Sequence, residues 1–253
     1  MTVNYGVIGT GMMGCEHIRN IVQIETASVV AIADPSERSL GWGQKACQGR
    51  FTPDTYVDYR DLLARDDIDA VVVASPNFTH IDVMRDVFNT SKHVLLEKPM
   101  CTTMADSAEL QAMAKNHAGI VWIGLEYRYM SPIMSFLDEL EGDAVGDIKM
   151  FFIREHRFPF LKKVDNWNRF NRNSGGTLVE KCCHFFDMMN LVVKSKPIRI
   201  FASGAQDVNH LDERYDGEVP DILDNAFVIV DYANGARACL DLCMFAEGGR
   251  NEQ

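Results

Sequence analysis

The sequence predicts an α/β fold in two domains: a doubly wound parallel sheet in residues 1–125 and an α+β domain in residues 126–253. Up to about residue 125, short β-branched runs alternate with helical patterns, which is typical of a parallel sheet covered by helices. Beyond that point strands and helices occur in groups, which predicts an open, mostly antiparallel sheet. The chain has 253 residues, 47% of them hydrophobic, and this is enough to bury a substantial core.

The predicted elements of the first domain follow one another in strand–helix order. The clearest strand is the run AVVVA at 70–74, which is apolar throughout and therefore predicted to be central in the sheet. The other predicted strands are 3–8, 28–33, 56–57, 94–96 and 121–125. Helices are predicted at 13–22, 39–47, 59–65 and 79–88, with a further helix that Thr103 caps.

The second domain is predicted to begin with a helix at 132–140 and a strand at 148–153. A long polar stretch follows, and its four large aromatic residues predict an ordered loop: Phe158, Phe160, Trp167 and Phe170. The remaining predictions are one helix at 177–193 and strands at 198–203, 226–230 and 237–245. Because no closing element follows the last strand, we expect an unpaired edge there if the chain is a fragment of a longer protein.

Charge and cysteine content exclude several classes of function. The formal charge of −11 argues against nucleic-acid or anionic-membrane partners, since there is no basic field to attract them. The seven cysteines form no Cys-x-x-Cys pair, and we identify no metal-ligand pattern. The N-terminus lacks a secretory signal, and no run approaches the ~20 apolar residues of a membrane span. These features predict a cytoplasmic protein.

A glycine-rich turn follows the first strand and opens the first helix, as in a dinucleotide-binding fingerprint. Its residues are Gly9, Thr10, Gly11, Met12, Met13 and Gly14. Asp34 ends the second strand about 20 residues later, where a carboxylate accepts hydrogen bonds from ribose hydroxyls and disfavours a 2′-phosphate. The pattern predicts NAD as cofactor. NADP remains an alternative, because Arg38 is either a solvated helix charge or a ligand of the 2′-phosphate.

Two further segments follow strands at the edge of the sheet where ligands bind. The first contains Ser75, Pro76, Asn77 and His80, and His80 is either a cofactor contact or a solvated residue of the early helix. The second is Glu97-Lys98-Pro99, where two charges and a proline end a buried strand. Taken alone, these charges are consistent with an ordinary solvated turn. The Lys98–Pro99 bond is a candidate for the cis form, which only about 5–6% of X–Pro bonds adopt.

These motifs, in this order, resemble those of the Gfo/Idh/MocA oxidoreductase family. The resemblance extends from residue 3 to about residue 245, and Glu97-Lys98-Pro99 is its most specific element. It implies a Rossmann domain followed by an α/β domain whose open sheet carries the substrate pocket and often an oligomer interface. It also implies a nicotinamide cofactor and hydride transfer at a sugar, inositol or similar carbon, with Glu97 near the cofactor and Lys98 at the carbon that is oxidised.

The resemblance also implies site residues in the second domain. Glu180, His184 and Asp187 are spaced to share one face of the predicted helix, with His184 and Lys98 serving one substrate hydroxyl. The family usually has Asp at the position of Glu180 and a small residue at that of Cys182. Residues expected to line the substrate site are Tyr127, Arg128, Trp167 and Arg169, and packing in the core is the alternative for Trp167.

The sequence therefore predicts an NAD-dependent dehydrogenase or reductase acting on CH–OH groups of a sugar or polyol. Two alternatives remain at this point: a regulator that binds the nucleotide without turnover, and an NAD-dependent glycosidase. The sequence identifies neither the substrate nor the direction of turnover.

Overall fold

The computed structural model describes residues 2–142, 144–246 and 251–252. The chain folds as two compact units, Met1–Gly124 (the first unit) and Leu125–Gln253 (the second unit). The last stretch of the sequence, for which no closing element was predicted, lies partly outside the described residues. No helix within the described ranges is long and apolar enough to span a membrane.

The first unit alternates strands and helices throughout. Its strands are β1 (Val3–Ile8), β2 (Ala27–Ala33), β3 (Asp54–Tyr56), β4 (Ala70–Val73), β5 (His93–Glu97) and β6 (Val121–Gly124). Its α-helices are α1 (Met12–Val22), α2 (Glu37–Ala46), α3 (Tyr59–Leu63), α4 (His80–Val87) and α5 (Met104–Ala114). Thr103 caps α5 as predicted, because its hydroxyl accepts a hydrogen bond from Asp106 N at 3.1 Å.

The six strands of the first unit form one parallel sheet in the order β3-β2-β1-β4-β5-β6. All four residues of β4 are buried, as its uninterrupted apolar run predicts for a central strand. The strand order reverses between β1 and β4, which is the switch point where doubly wound sheets bind ligands. The predicted fold class is therefore confirmed for this unit.

The second unit groups its elements instead of alternating them. Its strands are β7 (Met150–His156), β8 (Pro197–Ala205), β9 (Asn225–Tyr232), β10 (Arg237–Cys243) and β11 (Asn251–Glu252). Its α-helices are α6 (Ser131–Glu141), α7 (Asn171–Ser174), α8 (Thr177–Glu180) and α9 (Cys183–Val193). The predicted ordered loop holds the end of β7, a 3₁₀ turn at Val164–Arg169 and α7.

The second sheet has the order β11-β7-β10-β9-β8, and only the β7–β10 pair is parallel. The expectation that the last predicted strand is an unpaired edge was wrong. β10 lies between β7 and β9, because the chain returns to pair with β7 across the intervening helices. The described edge strands are β8 and β11, and β11 pairs with β7 through Asn251 opposite His156.

The prediction of a single helix at 177–193 was also wrong, since the structure has two helices there, α8 and α9. Thr177 O accepts hydrogen bonds from both Lys181 N at 3.0 Å and Cys182 N at 3.3 Å. The second bond spans five residues instead of four, so the turn widens and the helix restarts at Cys183. Glu180 therefore belongs to a different helix from His184, although both side chains are buried. Phe185, Met188 and Met189 of α9 lie in the core of the second unit, and Phe186 packs against it partly buried.

Candidate functional site

The glycine-rich turn of the first unit depends on the absence of side chains at two of its glycines. Gly9 has φ +88°, and a Cβ there would lie 2.7 Å from the backbone of Ala74. A Cβ at Gly14 would lie 1.9 Å from Gly9 O, so only glycine lets α1 pack this closely on the turn. At Gly11, the N-cap of α1, a Cβ would meet nothing within 4 Å. The N-terminus of α1 thus borders open space, which fits a pyrophosphate group.

Asp34 ties the end of β2 to this turn. Its Oδ2 accepts a hydrogen bond from Thr10 N and its Oδ1 accepts one from Ser36 N, both at 2.9 Å. A carboxylate oxygen has two lone pairs, so both oxygens retain capacity to accept from ribose hydroxyls. Arg38 is exposed and its guanidinium lies 4.7 Å from the ring centroid of Trp42. These residues fit a dinucleotide cofactor.

The segment after β4 forms a compact turn. Thr79 Oγ1 lies 2.7 Å from Ser75 Oγ and donates to Pro76 O at 2.8 Å, and residues 77–79 form a 3₁₀ turn. The view of His80 as a solvated residue was wrong, because its side chain is fully buried at 0% exposure. Its two ring nitrogens face backbone carbonyls and not solvent, so any influence of His80 on a cofactor is indirect.

At the end of β5 the structure holds Glu97 in place from two sides. Its Oε1 lies 2.6 Å from His17 Nε2, and its Oε2 accepts a hydrogen bond from Lys98 N at 3.1 Å. Burial by itself raises the pKa of this carboxyl, but the hydrogen bond and charge of His17 and the charge of Lys98 outweigh it and lower the pKa. Glu97 is thus an ionised, buried carboxylate. The Lys98–Pro99 bond is cis.

His17 was not predicted as a functional residue, although the sequence carries a signal for it. It lies three residues after Gly14 and four before Ile21, which are both buried. That spacing places His17 near the face of α1 that packs on the sheet. Its partner Glu97 is 80 residues away in the chain, so the contact itself was not predictable.

In the second unit, His184 lies in the first turn of α9 and is only 2% exposed. Its ring stacks on that of Tyr127, with centroids 4.2 Å apart and planes 9° from parallel. His184 Nε2 also lies 3.5 Å from Glu126 Oε1. The structure therefore brings together two predicted site residues, Tyr127 and His184, and fixes the plane of the imidazole.

A network of buried charges surrounds this pair. Lys181 Nζ donates to Tyr127 Oη at 2.6 Å and lies 3.2 Å from Glu155 Oε1, while Glu180 Oε1 accepts from Lys163 Nζ at 2.9 Å. Lys163, Lys181 and Glu155 were not predicted. The sequence signal for Glu155 is its place two residues after the buried Ile153, where the alternation of β7 turns a carboxylate inward.

Three other predicted substrate residues are held by partners within the second unit. Arg128 and Asp187 form a two-pronged ion pair, with Nε donating to Oδ2 at 2.6 Å and Nη2 to Oδ1. Trp167 packs under Lys163, whose Nζ lies 4.6 Å from the ring centroid. The pair uses two of the five guanidinium N–H groups, so Arg128, whose side chain is 41% exposed, retains donors for a ligand.

Arg169, by contrast, serves a buried cluster that ties the long loop to the segment before β9. Its Nε donates to Glu213 Oε2 at 2.9 Å, and Tyr215 Oη donates to the same oxygen at 2.7 Å. Burial raises the pKa of Glu213, but hydrogen bonds from His210, Tyr215 and Arg169 outweigh it and hold the pKa at about 2. Arg169 is 2% exposed, and these partners hold its guanidinium in place, while its expected substrate contact stays a prediction.

The geometry and the motifs agree with two family models that match consecutive parts of the chain. Residues 3–125 match the oxidoreductase family, NAD-binding Rossmann fold, and residues 138–253 match the C-terminal alpha/beta domain of the same family. The chain belongs to the Gfo/Idh/MocA oxidoreductase family. The first unit is accordingly the NAD-binding Rossmann fold of this family, and the predicted family and fold are confirmed.

Relatives within the family cover most of this chain. YrbE, an uncharacterized oxidoreductase of Bacillus subtilis, is 29% identical over 93% of this chain and 65% of its own length. The myo-inositol 2-dehydrogenase of Thermotoga maritima is 28% identical over 93% of this chain and 67% of its own length. The crystal structure of a probable dehydrogenase from Thermotoga maritima superposes with a TM-score of 0.84 at 26% identity, covering 99% of this chain and 71% of that chain. The chain thus spans about two thirds of the length of its curated relatives.

Proposed function

We propose that the protein is an NAD-dependent oxidoreductase that transfers a hydride between the nicotinamide and a hydroxyl- or carbonyl-bearing carbon of a sugar, inositol or related polyol. The observation that carries the proposal is the Glu97-Lys98-Pro99 turn. It begins at the last residue of β5, at the edge of the sheet where doubly wound folds bind ligands, and its carboxylate is buried and ionised. A buried charge at such a position is typical of a functional site.

The names of relatives and the polar network of the second unit both support a polyol as the proposed substrate class. Two relatives at 28% and 26% identity are named inositol 2-dehydrogenases, from Thermotoga maritima and Rhizobium meliloti. In this chain, Tyr127, Glu180, His184 and Lys181 place donors and acceptors side by side in a buried region. Such a set suits a ligand with several hydroxyl groups, because each hydroxyl both donates and accepts.

The residues of the chain would supply binding, orientation and proton transfer. Bound NAD would provide the hydride acceptor or donor. We assign proton transfer at the substrate oxygen to His184, since an imidazole can accept a proton near neutral pH, whereas an ordinary lysine is already protonated there. Lys98 is the donor that positions and polarises that oxygen, and Glu180 holds a substrate hydroxyl or orients the site. Tyr127, Arg128, Asp187 and Trp167 remain proposed substrate contacts.

The proposal is tested by incubating the protein with NAD and a panel of inositols and sugars while reduced cofactor is measured at its absorbance maximum. An oxidoreductase produces NADH in proportion to oxidised substrate. An NAD-dependent glycosidase would instead release an aglycone without net NADH, and a regulator would bind NAD and do neither. Either of these two results would contradict the proposal.

The cofactor preference provides a first specific prediction. NAD should bind more tightly than NADP, and Asp34→Ala should narrow the difference, because the Asp34 carboxylate repels a 2′-phosphate. Two like charges about 4 Å apart repel by about 1 kcal/mol in water and more where water is excluded, so we expect a preference of about fivefold or more. The measurement is a titration of each protein with each cofactor.

Asp34→Asn is the matched control for this prediction, because it removes the charge but keeps one oxygen, which can accept from either Thr10 N or Ser36 N. If the charge of Asp34 determines the preference, Asp34→Asn and Asp34→Ala should reduce the difference between NAD and NADP affinity by the same amount. If the unmodified protein prefers NADP, Arg38 binds the 2′-phosphate and the assignment of Asp34 is wrong.

We also propose that the protein forms a homo-oligomer through the face of the second sheet opposite α9. Four paired residues form an apolar row across this face: Phe152, Cys239, Ile229 and Phe201. Ion pairs flank the row, with Arg199 bonded to Asp231 at 2.7 Å and Arg154 to Asp241 at 3.2 Å. Because the face carries both signs of charge around an apolar centre, it is complementary to a second copy of itself.

Phe201→Asp should therefore convert the oligomer to monomers, as measured by analytical ultracentrifugation at micromolar concentration. Ile200→Asp is the matched control. Ile200 directly precedes Phe201 in β8 and points to the other face of the sheet. The two residues are similarly exposed, Ile200 at 64% and Phe201 at 53%. A monomeric unmodified protein, or equal effects of both variants, would contradict an interface on this face. We further propose a cytoplasmic location, which agrees with the absence of disulfide bonds among the cysteines of the described residues.

A further inference from the structure

His80 bridges the two segments that follow β4 and β5 in the first unit. Its Nδ1 lies 2.9 Å from Pro99 O, and its Nε2 lies 3.1 Å from Ser75 O. The ring is fully buried, so solvent does not compete for either nitrogen. Pro99 directly follows Lys98, so this single side chain reaches from the first residue of α4 to the turn that carries the proposed catalytic lysine.

The protonation of His80 decides which contact is a hydrogen bond. Both partners are carbonyl oxygens and only accept, whereas a neutral imidazole has one N–H. Burial lowers the pKa of His80 despite the opposing effect of the backbone carbonyls, which favours the neutral ring. The shorter contact, from Nδ1 to Pro99 O, is the better candidate for the donated hydrogen bond.

The segment after β4 depends less on His80 than the turn after β5 does. Thr79 N donates to Pro76 O at 2.9 Å and Thr79 Oγ1 donates to the same oxygen at 2.8 Å, which closes that segment on itself. Glu97 is anchored separately, through its contact with His17. The C-terminal side of the Lys98–Pro99 turn is where His80 adds its anchor.

We propose that His80 is a positioning residue: its Nδ1–H holds the carbonyl of Pro99 and thereby fixes the backbone from which Lys98 projects. It acts through the turn and not on cofactor or substrate directly, since both of its ring nitrogens contact backbone carbonyls. The consequence for catalysis rests on the proposed function, because it assumes that Lys98 acts on the substrate. The anchoring of the turn does not depend on that assumption and can be measured in the free protein.

Two amide replacements separate the two contacts. The Nδ2 of asparagine takes the place of Nδ1 of histidine, and the Nε2 of glutamine takes the place of Nε2. His80→Asn should therefore keep the bond to Pro99 O, while His80→Gln should lose it. We expect amide hydrogen exchange in the peptide covering residues 97–103 to stay slow in His80→Asn and to become faster in His80→Gln and His80→Ala.

His117→Asn is the matched control, because His117 contacts Lys92 O through Nε2 at 2.8 Å, just before β5 begins, and asparagine has no donor at that position. It removes a similar contact at the opposite end of the same strand and should leave exchange at residues 97–103 unchanged. If His80→Ala does not fold, the difference in exchange at residues 97–103 between His80→Asn and His80→Gln tests the proposal instead. Equal exchange in these two variants overturns the proposal, and so does a His80→Asn protein that no longer unfolds cooperatively.

Turnover provides a second measurement. With a substrate that the unmodified protein oxidises, His80→Gln should lower kcat by up to about 100-fold with NAD affinity little changed, and His80→Asn should stay near the unmodified rate. An unchanged kcat in His80→Gln overturns the positioning role. If the unmodified protein oxidises no substrate, the proposed function fails, and the exchange experiment still decides whether His80 anchors the turn.

Discussion

Lys98→Ala should lower kcat by about 10²–10⁴-fold while leaving the affinity for NAD nearly unchanged. The factor is the usual contribution of a positioned acid–base or donor group at the reacting oxygen. NAD affinity should persist because the glycine-rich turn and Asp34 are separate from Lys98 along the chain and keep their own contacts. Steady-state kinetics on the identified substrate and a titration with NAD measure the two quantities.

Lys115→Ala is the control for Lys98, since Lys115 is an exposed lysine of the same unit, at the C-cap of α5. It should retain the unmodified kcat. A Lys98→Ala protein with normal turnover would show that the turn after β5 has a structural role only, and the resemblance would then have misplaced the site. Backbone effects are small in this variant, because Glu97 Oε2 accepts from the backbone N–H of Lys98, which alanine retains.

His184→Ala should reduce kcat by a similar factor of about 10²–10⁴, since no other group is assigned to take the substrate proton. Alanine also removes the ring that stacks on Tyr127, so a loss of packing has to be separated from a loss of basicity. His184→Phe makes this separation, because it keeps an aromatic ring at that position and has no titratable nitrogen. Both variants should be equally slow.

If His184→Phe recovers most of the activity lost in His184→Ala, the histidine acts through packing and its assignment as a base is wrong.

Glu180 gives a companion comparison in the same unit. Glu180→Asp should retain more activity than Glu180→Ala, because the shorter carboxylate still pairs with Lys163, whereas alanine leaves this lysine without its partner at 2.9 Å.

The first unit was predictable because its determinants are local. β4 is apolar at every position, and the turn from Gly9 to Gly14 needs glycine for reasons of backbone geometry that the sequence displays. Asp34 was recognisable for the same reason, since its distance from the turn is fixed by one strand–helix–strand unit. The cis form of the Lys98–Pro99 bond was suggested by its context and is present.

The features that the sequence did not predict depend on long-range contacts. Lys181 is buried and pairs with Glu155, and this pair lies at the break between α8 and α9. A periodicity of 3.6 residues contains no information about a carboxylate 26 positions upstream, so the helix was predicted as continuous. The burial of His80 was missed for the same reason, because its partner Pro99 belongs to the next strand–turn segment.

The central position of β10 has a consequence for the folding of the second unit. β7 forms its parallel pair with a strand that follows far along the chain: Arg154 and Asp241, which bond across the two strands, are 87 residues apart. Closing so long a loop costs entropy before any strand contact compensates for it, which slows folding. During synthesis β7 has no parallel partner until β10 has emerged. The second unit is therefore the part of the chain where dependence on chaperones is expected to concentrate.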